Sequence, residues 1–440
     1  MNLRDTLKIN EEGHLEIGGA DTVDLCKKFG TPLYALDYAY IKKTALSFAD
    51  TIKRKYGDGA VAYASKAFSA TALYKLFSGL GLYSDVVSKG EIYTALKGGM
   101  PADSLVMHGN NKQEYEIDYA VSEGVGYIVI DGMDEPGIID AIAKKYDKLQ
   151  KVLVRLNPGV EAHTHHFTQT AREDSKFGFS IKSGAADELI KSLFSYKNLI
   201  FSGLHCHIGS QIFDREAFGL ANAVMTDYIK KLRDSYGITV DVLNLGGGFG
   251  VHYTDKDPLY TAEDYAGYVD FIAETLTANL LKKDIKKPFL IIEPGRSLIA
   301  EAGITLYTVG TVKDIKGIKK YYAIDGGMFE NPRYALYRSE YSAIIANKAR
   351  EEFSETVTLT GKCCESGDMI AEGIKLQKAQ RGDVVAVFST GAYNYSMSSH
   401  YNGNLTPPAV MIKDGEADYI IKPESCEDLI RNNNIPDFLN

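Results

Sequence analysis

The chain has 440 residues, 45% of them hydrophobic and 24% charged, with a formal net charge of -9. That length allows two or three domains with a sizeable core, and the acidic balance excludes nucleic acid as a main partner, because phosphate-backbone binding needs a basic footprint. Five scattered cysteines (Cys26, Cys206, Cys363, Cys364, Cys426) do not make a disulfide framework. The charged start lacks an apolar signal core and no apolar run approaches the roughly 20 residues of a membrane span, so no membrane partner and a cytoplasmic location are expected.

The first 35 residues contain short strand candidates, "HLEIGG" and "TPLYALD". From residue 36 to 302 short apolar runs bounded by turn residues alternate with helix-like periodicity. In order they are "VAYASKA", "LYSDVVS", "LVMHGN", "YIVID", "VLVRLNPG", "LIFSGLHCHIGS", "VLNLGGGFG" and "FLIIEPGR". Eight alternating units predict an α/β fold, a parallel (β/α)8 TIM-type barrel. A doubly wound open sheet would also alternate, so the number of units decides. After residue 303 the texture changes. "ITLYTVGTVKDIKG", "KYYAIDGG", "DVVAVFST" and "ADYIIKP" alternate apolar and polar residues between glycine turns, which predicts a second, mostly antiparallel β domain built from 1–35 and 303–440.

Barrel active sites lie at the C-terminal ends of the strands, with phosphate often bound by the loops after strands seven and eight. Here those loops read "GGGFG" (Gly246, Gly247, Gly248 onward) and "EPGR" (Glu293, Pro294, Gly295, Arg296). Glycine lets backbone N–H groups approach a phosphate, and arginine offers a matching fork. A plain strand-to-helix turn is the competing explanation for three glycines. The first strand runs into Lys66, either a snorkelling surface lysine or an amine poised for a covalent bond to a carbonyl. Lysine, phosphate cradle and nearby carboxylate together suit pyridoxal 5'-phosphate. In "HCHIGSQ", His205 and His207 stand two apart on a strand and so face one side; with His163, His165 and His166 of "EAHTHH" they raise the rival of a metal-dependent barrel hydrolase. No further His/Asp/Glu cluster completes that set, and no metal is expected.

The ordered series "YASKAF", "SDVVSKGE", "HGNNK", "NPGVEAHTH", "DSKFGF", "HCHIGSQ", "LNLGGGFG", "EPGRS", "NPRYALY", "CESGD" and "TGAYNYSMSSHYN" resembles the pyridoxal-phosphate decarboxylases of the alanine-racemase-like barrel fold, the family acting on ornithine, arginine and diaminopimelate. The resemblance runs over most of the chain and is closest to the members acting on diaminopimelate. It implies a PLP-binding barrel (36–302) and a β domain that contributes substrate and dimer-interface residues. Lys66 would be the Schiff-base lysine and His207 would stack on the cofactor ring. Ser210, Gly246, Gly247 and Gly248 would hold the phosphate, helped by Pro294, Gly295, Arg296 and Tyr393, while Glu293 would face the pyridine nitrogen. Cys364 would handle the proton in an active site shared between two subunits of a homodimer. A vicinal redox pair of Cys363 and Cys364 is disfavoured, since adjacent cysteines bridge only with strain.

The implied reaction is decarboxylation of meso-2,6-diaminopimelate to L-lysine and CO2, the last step of lysine biosynthesis. Its substrate carries a second ammonium–carboxylate head, so the site needs a cation and an anion together. Arg333, Tyr337 and Glu365, with Arg296 and Tyr393, are the expected partners by the same resemblance. A decarboxylase of another basic amino acid would want carboxylates without Arg333, because a buried unpaired arginine is costly. A silent PLP-binding homologue is opposed by the presence of Lys66, Glu293 and Cys364. The sequence departs from the family pattern at Ala171, where glycine is expected, and at Asn404 and Leu405, where basic or proline residues are commoner.

Overall fold

The computed structural model describes residues 3, 5, 7–160 and 175–439. It forms two compact units: Lys42–Val251 with Pro258–Leu298, and Met1–Ile41 with His252–Asp257 and Ile299–Asn440. His163, His165, His166 and Ala171 lie outside the described residues.

The first unit is a closed parallel barrel. Its strands are β1 (Gly59–Ala64), β2 (Tyr83–Val86), β3 (Leu105–Met107), β4 (Tyr127–Ile130), β5 (Gln150–Asn157), β6 (Leu199–Cys206), β7 (Val242–Asn244) and β8 (Phe289–Ile292). Each pairs in parallel with the next, and β8 closes on β1 through Ile291 opposite Ala60. These are the eight apolar runs of the sequence. The intervening helices are delimited by local chemistry: Ser88 accepts from the Glu91 N–H to start Lys89–Lys97, and Thr261 with Asp264 forms a capping box at the head of Ala262–Lys282.

Alternation along the strands positions the site. Ala62, Val106, Val129, Leu153, Val242 and Ile291, from six different strands, pack into one buried cluster. Side chains two positions on lie on the same face of a strand. Two residues after those apolar positions stand Ala64, His108, Asp131, Arg155, Asn244 and Glu293. A plug of hydrocarbon is therefore topped, at the C-terminal ends of the strands, by a layer rich in ionisable and amide groups. Burying such groups is expensive unless they satisfy one another, which makes the layer a functional one.

The second unit is built around a long strand, Gly303–Ile315, which pairs antiparallel with Leu33–Asp37, Lys319–Ile324 and Val384–Phe388. Two pairings are parallel: Leu33–Asp37 with Ala409–Lys413, and Lys319–Ile324 with Glu355–Thr360. Alternate residues Leu33, Ala35, Ile304, Leu306, Ala386, Phe388, Val410 and Ile412 fill its core. The segment His252–Asp257, inside the stretch read from sequence as barrel, belongs to this unit: the Ser342 N–H bonds the Tyr253 carbonyl at 3.1 Å and the Ser389 hydroxyl bonds the His252 carbonyl at 2.8 Å.

The second unit also buries Glu330 completely. Tyr307 donates its hydroxyl to Oε1 at 2.7 Å, Tyr34 to Oε2 at 3.1 Å, and the Gly327 N–H to Oε1 at 3.2 Å. Among the described residues no cation pairs with it. Burial outweighs these donors and raises its pKa to about 7. The native state thus takes up this proton at higher pH than the unfolded chain does, so Glu330 costs stability as pH rises from about 4.5 towards 7 and the cost stays in place above that. Glu330→Gln is expected to unfold at higher urea than the parent at pH 8, with the difference shrinking as pH falls to 5; equal midpoints at every pH contradict this.

Candidate active site

At the barrel mouth, Lys66 sits in the single turn Ser65–Ala67 that follows β1, not in the strand itself. Its ammonium meets Asp85 Oδ2 at 3.1 Å, with the lysine side chain 50% exposed and the aspartate 1% exposed. The amine thus sits where a buried carboxylate meets the exposed mouth of the barrel. Asp85 lies on β2 and is fixed from its backbone, since the Ser65 hydroxyl donates to the Asp85 carbonyl at 2.7 Å.

Glu293 follows β8 and is 6% exposed. Its Oε1 accepts from Asn244 Nδ2 at 2.6 Å and bonds His108 Nε2 at 2.7 Å; Oε2 meets His205 Nε2 at 3.3 Å. Burial raises its pKa, but His108 and His205 outweigh that and hold the carboxyl well below the ordinary range. Burial pushes His205 down to about 3, so this imidazole is neutral and serves as an N–H donor.

His207, one full alternation beyond His205, is half-buried. Its Nδ1 accepts from the Gly247 N–H at 3.3 Å. Burial first, then the cations Lys66 and Arg155, hold its pKa well below the usual value, which leaves a flat uncharged ring. The glycines beside it are sterically required. A Cβ on Gly246, where φ is +66°, would sit 2.6 Å from the Cys206 carbonyl oxygen, and one on Gly247 would collide with the Glu293 carbonyl oxygen. The Glu293 N–H bonds the Gly246 carbonyl at 2.7 Å, and Arg296 Nη2 donates to Ser210 Oγ at 3.2 Å. Lys66, His207, Ser210, Gly246–Gly248 and Glu293–Arg296 thus gather around one end of the barrel.

The remaining candidates lie in the second unit. Arg333 and Tyr337 share the short helix Arg333–Tyr337; Arg333 is 7% exposed, whereas Tyr337 is 40% exposed. The guanidinium donates from Nη1 to Tyr341 Oη at 2.9 Å and from Nη2 to Ser339 Oγ at 3.1 Å. It also lies over the Tyr253 ring, 4.9 Å from its centroid. Among the described residues no carboxylate pairs with it. Tyr341 in turn donates to Asn394 at 3.4 Å, beside half-buried Tyr393, whose φ is +62°. Cys364 and Glu365 are exposed on a loop that Asp368 braces: Asp368 Oδ2 accepts from the Cys363 N–H at 2.7 Å and Oδ1 from the Met328 N–H at 2.6 Å. The Cys364 N–H donates to Asn402 at 2.8 Å, and Asn404 Nδ2 lies 3.7 Å from Cys363 Sγ. All five thiols are free, and burial followed by Asp368 raises the Cys363 thiol to about 11.

Sequence reasoning missed Asp85, His108, Arg155 and Asn244 in the barrel and Tyr341 in the second unit. The barrel signal was available: each of "SDV", "VMH", "VRL" and "LN" places a polar residue at the alternation that continues the buried face past the plug. The metal-site alternative rested on His205 and His207, of which His205 bonds Glu293, and on histidines outside the described residues.

The comparisons agree with one another. Residues 42–300 match the model of the pyridoxal-dependent decarboxylase, pyridoxal binding domain. Diaminopimelate decarboxylase of Bacillus subtilis (strain 168) is 44% identical over 98% of this chain and 98% of its own, and that of Staphylococcus aureus (strain COL) is 43% identical over 97% and 99%. The solved structure of diaminopimelate decarboxylase from M. jannaschii in complex with L-lysine covers 99% of both chains with a TM-score of 0.90 at 33% identity. Sequence, fold and the lysine–glycine–glutamate arrangement of the barrel therefore converge, and the chain belongs to the diaminopimelate decarboxylase family of pyridoxal-dependent decarboxylases.

Proposed function

We propose that this chain decarboxylates meso-2,6-diaminopimelate to L-lysine and CO2, the last step of lysine biosynthesis, with pyridoxal 5'-phosphate as cofactor. The barrel residues fit that group. The backbone at Gly246 and Gly247 packs too close to neighbouring carbonyls for any side chain, the buried Glu293 carboxylate is kept charged, and Asp85 Oδ1 is buried without a hydrogen-bond partner beside the lysine. When bound, the cofactor supplies an aldehyde that condenses with amines and a pyridinium ring that takes up the electron pair left as CO2 departs.

In this reading the 36–302 domain holds the cofactor, and each residue has one task. Lys66 provides the amine that anchors the cofactor, and Asp85 orients that amine while keeping solvent from being its only partner. Glu293 would hold the ring nitrogen with its negative charge. His207 offers its neutral ring as a stacking surface; a charged imidazolium there would compete with the cation needed on the cofactor ring. Ser210, Gly248, Gly295, Arg296 and Tyr393 would position the phosphate with N–H, O–H and guanidinium donors, while Gly246, Gly247 and Pro294 shape the turns that carry them. Cys364 delivers a proton to the α-carbon.

The observation that carries the substrate assignment is Arg333. A guanidinium nearly removed from water, stacked on one tyrosine and fixed by another, with no carboxylate among the described residues, is an anion-seeking group. The distal carboxylate of diaminopimelate satisfies it, with Arg296, Tyr337 and Tyr393 assisting and Glu365 taking the distal ammonium. Ornithine and arginine offer no such carboxylate. Exposure of Cys364 and Glu365 on a braced loop supports a homodimer in which the loop of the 303–440 region completes the partner's site. Free thiols, two of them exposed, suit a reducing cytoplasm. No helix among the described residues is long and apolar enough to cross a membrane.

Three outcomes test this. CO2 release is expected from meso-diaminopimelate and not from ornithine or arginine. Borohydride reduction of the holoenzyme should leave a cofactor adduct that mass spectrometry maps to Lys66 and that Lys66→Ala abolishes. Arg333→Ala should lower kcat/KM for diaminopimelate by about 100-fold, on the order of the few kcal/mol of a desolvated charge-assisted pair, while retaining cofactor; unchanged kcat/KM refutes the assignment. In the cradle, Gly247→Ala is expected to cost about 1–3 kcal/mol in urea unfolding through overpacking and to weaken cofactor retention.

A further inference from the structure

His108 carries no role in the reading above, yet it occupies the centre of the polar layer. It lies just past β3, is 5% exposed, and is fixed by a bond from its own N–H to the Val86 carbonyl at 2.8 Å. Its Nε2 stands 2.7 Å from Glu293 Oε1 and 3.8 Å from Asp85 Oδ1. One ring nitrogen is thereby placed between the carboxylate that meets Lys66 and the carboxylate of Glu293. Its ring packs edge-on against His205 at 4.7 Å.

Glu293 has three donors, and they are unequal. His205 is the longest at 3.3 Å and its Nδ1 has no hydrogen-bond partner. Asn244 is short at 2.6 Å. His108 is equally close, and its Nε2 also faces a second carboxylate, Asp85 Oδ1 at 3.8 Å. A buried carboxylate stays ionised only where donors and positive charge replace water. Both short donors converge on Oε1, so Oε2, with one long partner, is the less committed oxygen.

We propose that His108 is a positioning residue for the decarboxylation: by donating to Glu293 Oε1 it keeps that carboxylate ionised and fixed in orientation, so that Glu293 can pair with the ring nitrogen of pyridoxal phosphate. The inference rests on the cofactor assignment made above for Glu293. It predicts effects on the cofactor and on turnover and not on recognition of the substrate's distal end.

The test uses His108→Ala, His108→Phe (which keeps ring bulk without the donor) and His108→Gln, whose amide can still donate. Infrared spectra of the purified proteins, with and without cofactor and referenced to Glu293→Gln, report whether Glu293 carries a proton. The alanine and phenylalanine variants are expected to show a carboxylic-acid C=O band absent from the parent. They should also show at least about tenfold weaker pyridoxal phosphate binding by absorbance titration and about tenfold lower kcat, with KM for diaminopimelate within about twofold. His108→Gln should regain most of the cofactor affinity and lose the acid band. If one bulky or truncated variant fails to fold, the other reads the same outcome. Parent-like cofactor affinity with no acid band, or a glutamine variant no better than alanine, overturns the proposal. A parent protein that binds no cofactor sinks the cofactor assignment instead, and the infrared band still reports on His108.

Discussion

A carboxylate held charged inside a closed barrel is the constraint around which the cofactor site is organised. Glu293 is 6% exposed, and an ionised carboxylate in that position is tolerable only if the lost hydration is replaced. The fold supplies the replacement from three strands at once: His108 after β3, His205 on β6 and Asn244 on β7. No single segment could provide it. The parallel closure that brings these strands side by side is therefore a requirement of the chemistry as well as a packing solution.

The same closure sets the sterics. Because β7 and β8 are hydrogen-bonded neighbours, the turn after β7 runs directly against the chain entering "EPGR", and side chains at Gly246 and Gly247 would strike backbone carbonyls. The glycines are thus fixed by backbone crowding, and their N–H groups are spent on fixing Asn244 and His207. At the C-terminal ends of the adjoining strands β1 and β2, Asp85 pairs with Lys66 at a buried–exposed boundary, so the amine is oriented by a buried carboxylate.

The second unit treats charge the opposite way. Arg333 is buried with tyrosines and a serine instead of a counter-ion, and Glu330 is buried three residues earlier with tyrosine hydroxyls instead of a cation. Pairing the two with each other would have neutralised both and left nothing for a ligand. Keeping them on separate hydroxyl partners costs stability through Glu330 and preserves an unsatisfied positive charge at Arg333. Asp368 adds a further link, bonding the Met328 and Cys363 amides and so tying the segment before Arg333 to the loop that carries Cys364.

By itself, the order of residues determined the barrel and its chemistry. Eight apolar runs alternating with helix-like periodicity report eight buried strands, because burial on both faces removes polar residues locally. The motifs around Lys66, His207, Gly246–Gly248, Glu293 and Arg296 report backbone and donor requirements that are local as well. The β unit was legible from period-two alternation, although not the return of His252–Asp257 to it, since that depends on bonds from Ser342 and Ser389, about 90 and 140 residues away. Tertiary structure alone decided which polar side chains share a layer. His108, Asn244 and Asp85 come from strands far apart in the chain, and their significance is the energy of replacing water around one carboxylate and one amine. That energy is a property of distances across the barrel: the alternation marks each residue as polar and inward, and only the fold decides which of them meet.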